Sequence, residues 1–207
     1  MLRDLLDSLR CPRAHAESWL VAMVHRADGP FLIDADLACP VCGAEFRIID
    51  GTAQFDAAEP GVRDEALDAT RTAALLGLSE GHLPVLLSGR YAGTGAALGE
   101  LVSLPQVWLN PSGGLPAPAV PRSALVVRER LPLGVETLAA AAVDAAHASR
   151  VMLESIVRAV RLGGRVLAPA TVPIPDGLRE LARDDEEWVA EVTVRASGLV
   201  ELRRRAE

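Results

Sequence analysis

The chain has 207 residues, half of them apolar, and a formal net charge of −7 at pH 7. That length fits one ordinary domain with a small one attached. The acidic balance argues against a nucleic-acid binder that works by counterion release. No apolar run approaches the roughly 18–20 residues of a membrane span. The acids inside MLRDLLDSLR exclude a signal peptide, and a cytoplasmic protein is expected. All 21 basic residues are arginine, which with the Ala, Gly and Pro load matches the codon bias of a GC-rich, bacterial genome. Aromatics make up 3%, so the core must be built from Leu, Val and Ala.

Leu2, Leu5, Leu6 and Leu9 repeat at helical spacing and predict a short amphipathic helix. Two strand-like runs follow at 19–25 and 31–33, with Asp28 and Gly29 in the turn between them. A third run, 45–49, ends at Asp50-Gly51. Cysteine-bearing turns flank these strands: Cys11-Pro12-Arg13-Ala14-His15, and Cys39-Pro40-Val41-Cys42-Gly43. Two such turns at the tips of strand pairs can close a tetrahedral zinc site. The candidate ligands are Cys11, His15, Cys39 and Cys42, with His25 as a substitute for His15. Two alternatives stay open: a ribbon that has shed its metal, and a redox Cys-x-x-Cys, although no thioredoxin-like surroundings support the latter.

LLDSLRCP at the start and ACPVCGAEFRIIDG in the middle make this quarter of the chain resemble the short zinc-ribbon proteins that activate tRNA, rRNA and protein methyltransferases. The same ribbon occurs fused in front of class I methyltransferase domains. The resemblance implies a ribbon-like β module over residues 1–56 that holds zinc and docks onto a partner. Ala14 stands where that family carries its second cysteine.

Residues 56–61, DAAEPG, are small, acidic and broken by proline, which predicts a linker centred on 57–62 and a second domain over 63–207. A helix is expected over 63–76, with Gly77 as its C-terminal cap. Strands are expected at 83–87, 107–109 and 124–127, with a proline-rich loop at 115–121. A long helix is expected from 135 to 162, stopped by Gly163-Gly164, then a strand at 165–168 and a short helix at 177–183. Residues 188–195 and 198–204 alternate as a closing hairpin. Strands alternating with helices and ending in a hairpin predict an α/β fold: a Rossmann-like, mostly parallel sheet with an antiparallel C-terminal hairpin.

The stretch VLLSGRYAGTGAALGEL, 85–101, reads as a buried strand, a glycine-rich turn and the first turns of a helix. With AVRLGGRVL and the closing hairpin, it makes the layout resemble class I S-adenosylmethionine-dependent methyltransferases. That resemblance implies cofactor contacts at Gly89, Gly93 and Gly95, and at Asn110 after the second strand. Leu87, and Asn110 or Ser112, stand where the family carries acids, so the expected function is a non-catalytic, methyltransferase-like binding or scaffold protein that works with a protein partner or by self-association. The rival is an active methyltransferase in which Glu100, Glu129 or Asp144 supplies the missing charge. Tyr91, the only tyrosine, is a candidate to fill the cofactor space. A domain for another nucleotide is disfavoured, because no acid follows the loop at ribose-binding spacing.

Overall fold

The structure, a computed structural model, describes residues 1–56, 67–113 and 119–194. The expected linker at 57–62, most of the loop at 115–121 and the strand at 198–204 therefore lie largely or wholly outside the described residues.

The N-terminal segment is a 3-10 helix, Arg3–Ser8, rather than an α-helix, and it buries Leu5. Four strands follow: β1 (Val21–Asp28), β2 (Phe31–Ala38), β3 (Glu45–Ile49) and β4 (Thr52–Gln54). They pair antiparallel in succession. In β3 the pleat turns Phe46 and Ile48 inward and Glu45, Arg47 and Ile49 outward. Asp50 and Gly51 carry φ of 46° and 76°, the doubly positive pair of a two-residue type I′ turn, so Asp-Gly sits where hairpin geometry requires it.

The rest is α1 (Ala69–Leu76), β5 (Val85–Ser88), α2 (Gly89–Leu101), β6 (Gln106–Leu109), β7 (Arg122–Val126), β8 (Ala140–Ala142), α3 (Arg150–Ala159), β9 (Arg165–Pro169), β10 (Leu178–Arg183) and β11 (Glu187–Val192). Asp68 caps α1 by accepting from the N–H groups of Thr70 and Arg71. Gly77 ends it in the left-handed conformation, as its place in the sequence predicts.

Two expectations are corrected. The long helix of 135–162 is only α3, and the alanine run before it is strand β8. The short helix at 177–183 is strand β10. Strand β10 forms a hairpin with β11, turning at residues 184–186, while the expected hairpin of 188–195 with 198–204 falls partly outside the described residues. In each case local helix propensity yields to the sheet: Ala140, Ala141 and Ala142 are buried on both faces, where small side chains admit close neighbours.

The described strands form one sheet in the order β1-β2-β3-β4-β7-β6-β5-β8-β9-β11-β10. From β7 to β9 the pairing is parallel, and β11 and then β10 follow antiparallel to their neighbours. That is a doubly wound parallel sheet closed by a reversed hairpin. Val85 and Leu87 pack under α1 and α2 with Trp108 and Leu167, while Leu86 joins Val107, Met152 and Ile156 on the α3 side. Both faces of β5 are thus covered, and all four of its residues are buried.

The two predicted modules are continuous. β4 pairs in parallel with β7, Ala53 opposite Leu125, and one core joins Leu32, Leu37 and Ile48 to Leu109 and Leu125.

Candidate functional site

The four predicted metal ligands come together: one ligand atom each from Cys11, His15, Cys39 and Cys42 lies within 4.8 Å of all the others. The loop after the 3-10 helix brings Cys11 and His15, and the β2–β3 knuckle brings Cys39 and Cys42. Gly43 there takes φ of 68° and its N–H bonds to the Cys39 carbonyl. The Sγ atoms of Cys11 and Cys42 are 3.8 Å apart, and Cys39 Sγ is 3.5 Å from His15 Nε2. A tetrahedron with Zn–S of about 2.3 Å and Zn–N of about 2.0–2.1 Å has edges of about 3.8 and 3.5 Å, so the set fits zinc. His15 Nδ1 lies 2.6 Å from the Ala16 carbonyl, which holds the proton there and leaves Nε2 free to ligate. His25 is elsewhere, on β1 against Asp36 at 2.8 Å.

The thiols are tuned apart. Burial works against the Cys39 thiolate, but backbone hydrogen bonds from Cys42 and Val41 outweigh it and bring the pKa down to about 6. Burial pushes Cys11 up to about 11, and the neighbouring sulfurs add to that. Bound zinc would supply a structural cross-link between the two turns, with Cys39 the ligand readiest to ionise.

The second candidate is the crevice outside the carboxyl ends of β5 and β8, where the strand order reverses and doubly wound sheets bind ligands. No loop separates β5 from α2: the helix begins at Gly89 directly after Ser88. Gly93 and Gly95 lie inside the helix. A Cβ on Gly95 would come within 2.6 Å of Gln106 Oε1 and 2.8 Å of the Trp108 ring, so this glycine serves helix-on-sheet packing. Gly89 has φ of 49°, and a Cβ there would overlap the Asp144 carboxylate.

Asp144 follows β8 and lies across the Gly89 backbone. Its Oδ1 accepts from Ser88 Oγ at 2.7 Å and from His147 Nδ1 at 2.5 Å, and its own N–H donates to Ser88 Oγ at 3.0 Å. The side chains of Asp144 and His147 are only 12% and 7% exposed. Burial opposes ionisation of Asp144, yet the bonds from His147 and Ser88 hold its carboxyl below the usual range. Asn110, at φ of 46°, has its amide committed at both ends: Nδ2 donates to the Val127 carbonyl and Oδ1 accepts from the Val127 N–H, each at 2.8 Å.

These residues do not fit a nucleoside cofactor. The backbone a methionine moiety would approach is covered by Asp144, and the amide that would meet a ribose is already paired. Tyr91 is not the plug. It turns under α1 and α2, and its hydroxyl donates to the buried Glu187 at 2.5 Å. Of the rival acids, Glu100 is exposed in the last turn of α2, about 16 Å along the helix from Gly89 at 1.5 Å per residue. Glu129 is exposed beyond β7. Reading the sequence alone missed Ser88 and placed His147 on a long helix. The signal available was Asp144-x-x-His147 directly after an apolar run.

No protein-family model matches the sequence, and no curated protein matches it. Among solved structures, the chain is similar to the antibiotic-resistance methyltransferase Kmr, at 16% identity and a TM-score of 0.39, over 66% of this chain and 98% of that one. The fold is read from the strand order and not from this likeness.

Proposed function

We propose that this chain is a methyltransferase-like protein without catalysis, acting as a binding or scaffold protein with the metal-bearing N-terminal β module as its docking part. The observation that carries the reading is the Asp144 carboxylate lying across Gly89, locked there by Ser88 and His147. The pairing of the Asn110 amide with Val127 supports it, because the second strand then offers no free acceptor for a ribose. The Cys/His cluster supports zinc as a structural ion, and a protein partner or a second copy is the expected occupant of the docking part.

One observation favours the rival: an ionised acid at the end of β8 is placed to meet a cationic ligand group. Calorimetric titration with S-adenosylmethionine and S-adenosylhomocysteine separates the two. The proposal expects no binding tighter than about 50 µM. Tighter binding that Asp144→Ala abolishes would establish the rival.

A further inference from the structure

Most arginines elsewhere on the described surface meet a carboxylate; Arg3 and Arg161 are exceptions, and they stand outside the cleft described next. Arg10 and Arg158 meet Glu17, Arg26 meets Asp34 and Asp50, Arg71 meets Asp184 and Glu187, and Arg150 meets Glu154. Arg13, Arg128 and Arg130 have no carboxylate at ion-pair distance and no side-chain hydrogen bond among the described residues, and all three line one cleft of about 360 Å³. Four segments build it: residues 12–14 between Cys11 and His15, Asp56 after β4, residues 128–130 leaving β7, and Val151 in the first turn of α3. The exit of β7 places the cleft on the carboxyl edge of the parallel sheet, away from the blocked end of β5.

We propose that this cleft binds the phosphoryl group of a small, polar phosphorylated molecule. The three guanidinium groups outnumber the two carboxylates of the cleft, and an anion bound among them takes up the excess positive charge. A carboxylate ligand offers two oxygens and one charge, enough for a single fork. A phosphoryl group offers three oxygens and up to two charges, and takes charge-assisted bonds from several forks at once. Asp56 and Glu129 line the same cleft without an arginine partner, as acceptors for hydroxyl or amino groups elsewhere on the ligand. Their presence, and the net charge of −7, set the site apart from a track for a nucleic-acid backbone. The proposal does not depend on whether the crevice at Gly89 is closed.

The test is calorimetric titration of the full chain with pyrophosphate and with ribose 5-phosphate at low salt. Arg13→Ala, Arg128→Ala and Arg130→Ala are compared with Arg161→Ala, an exposed arginine outside the cleft. Saturable one-site binding is expected. Each cleft variant weakens it by about tenfold or more, and Arg161→Ala leaves it unchanged. The cleft arginines are exposed, and thermal melts matching the parent chain establish that the variants fold. Absence of saturation by about 10 mM of either probe overturns the proposal. So does equal binding by the Arg128 and Arg161 variants, or a clear preference for a single-stranded oligonucleotide over both small probes.

Discussion

Gly89 and Asp144 are two halves of one arrangement. The glycine is required twice over, by its positive φ and by the carboxylate lying where a side chain would be. Gly89→Ala is expected to destabilise the chain by at least about 2 kcal/mol. In an Asp144→Ala background the same change should cost less, because the overlap is gone and only the backbone strain remains. Denaturant melts of the four proteins check this, and simple additivity would contradict it. Asp144 also gives a pH signature. Its folded pKa lies below its unfolded value, so its contribution is full above the unfolded pKa of about 4 and is lost as pH falls through the folded one. The stability gap between the parent and Asp144→Asn should therefore shrink as pH falls below about pH 4. A gap that widens in acid would contradict the assignment. The sequence displays Gly89 plainly, because a Ser-Gly pair directly after the apolar run 85–87 marks a strand exit. It hides Asp144, because the alanines before it carry no strand signal of their own.

Among the elements, those whose signal is local are legible and those set by burial are not. β3 alternates and ends in Asp-Gly, and its predicted bounds of 45–49 match the structure. β8 is alanine, the best helix former, and becomes a strand only because β5 and β9 flank it on either side. The start of β11 shows how helices and sheet are tied. Buried Glu187 accepts from Tyr91 on α2 and pairs with Arg71 on α1 and Arg90 on α2. Burial, then the hydrogen bond to Glu187, raises the Tyr91 pKa. Glu187→Ala would leave the buried Tyr91 phenol without its acceptor and take one of two carboxylate partners from each of Arg71 and Arg90, and about 1–3 kcal/mol of lost stability is expected. A loss below about 1 kcal/mol in urea melts would show the cluster to be incidental. The meeting of Cys11, His15, Cys39 and Cys42 was legible, since their spacing is written in the sequence and needs only the hairpins to close. Elemental analysis is expected to find about one zinc per chain, and Cys39→Ala or Cys42→Ala to release it and lower the melting temperature. A folded chain carrying no metal would exclude the site.

At the scale of the whole molecule, the sequence divides what the fold joins. Composition shifts at 56–61 as a linker does, yet β4 extends the parallel sheet at β7 and one apolar core runs beneath both parts. Register across a sheet is a long-range property that no local window contains. Unfolding followed by near-UV and far-UV dichroism should accordingly give one coincident transition, and two separated ones would mean that the parts fold independently. On this joined scaffold, the function proposed above has the chain itself occupying the place of a cofactor. A crystal structure grown in saturating S-adenosylhomocysteine measures that directly. The Asp144 carboxylate is expected on Gly89, bonded to Ser88 and His147, with no nucleoside above it. A nucleoside seated against Gly89, with Asp144 swung aside or turned to hold it, would contradict the account.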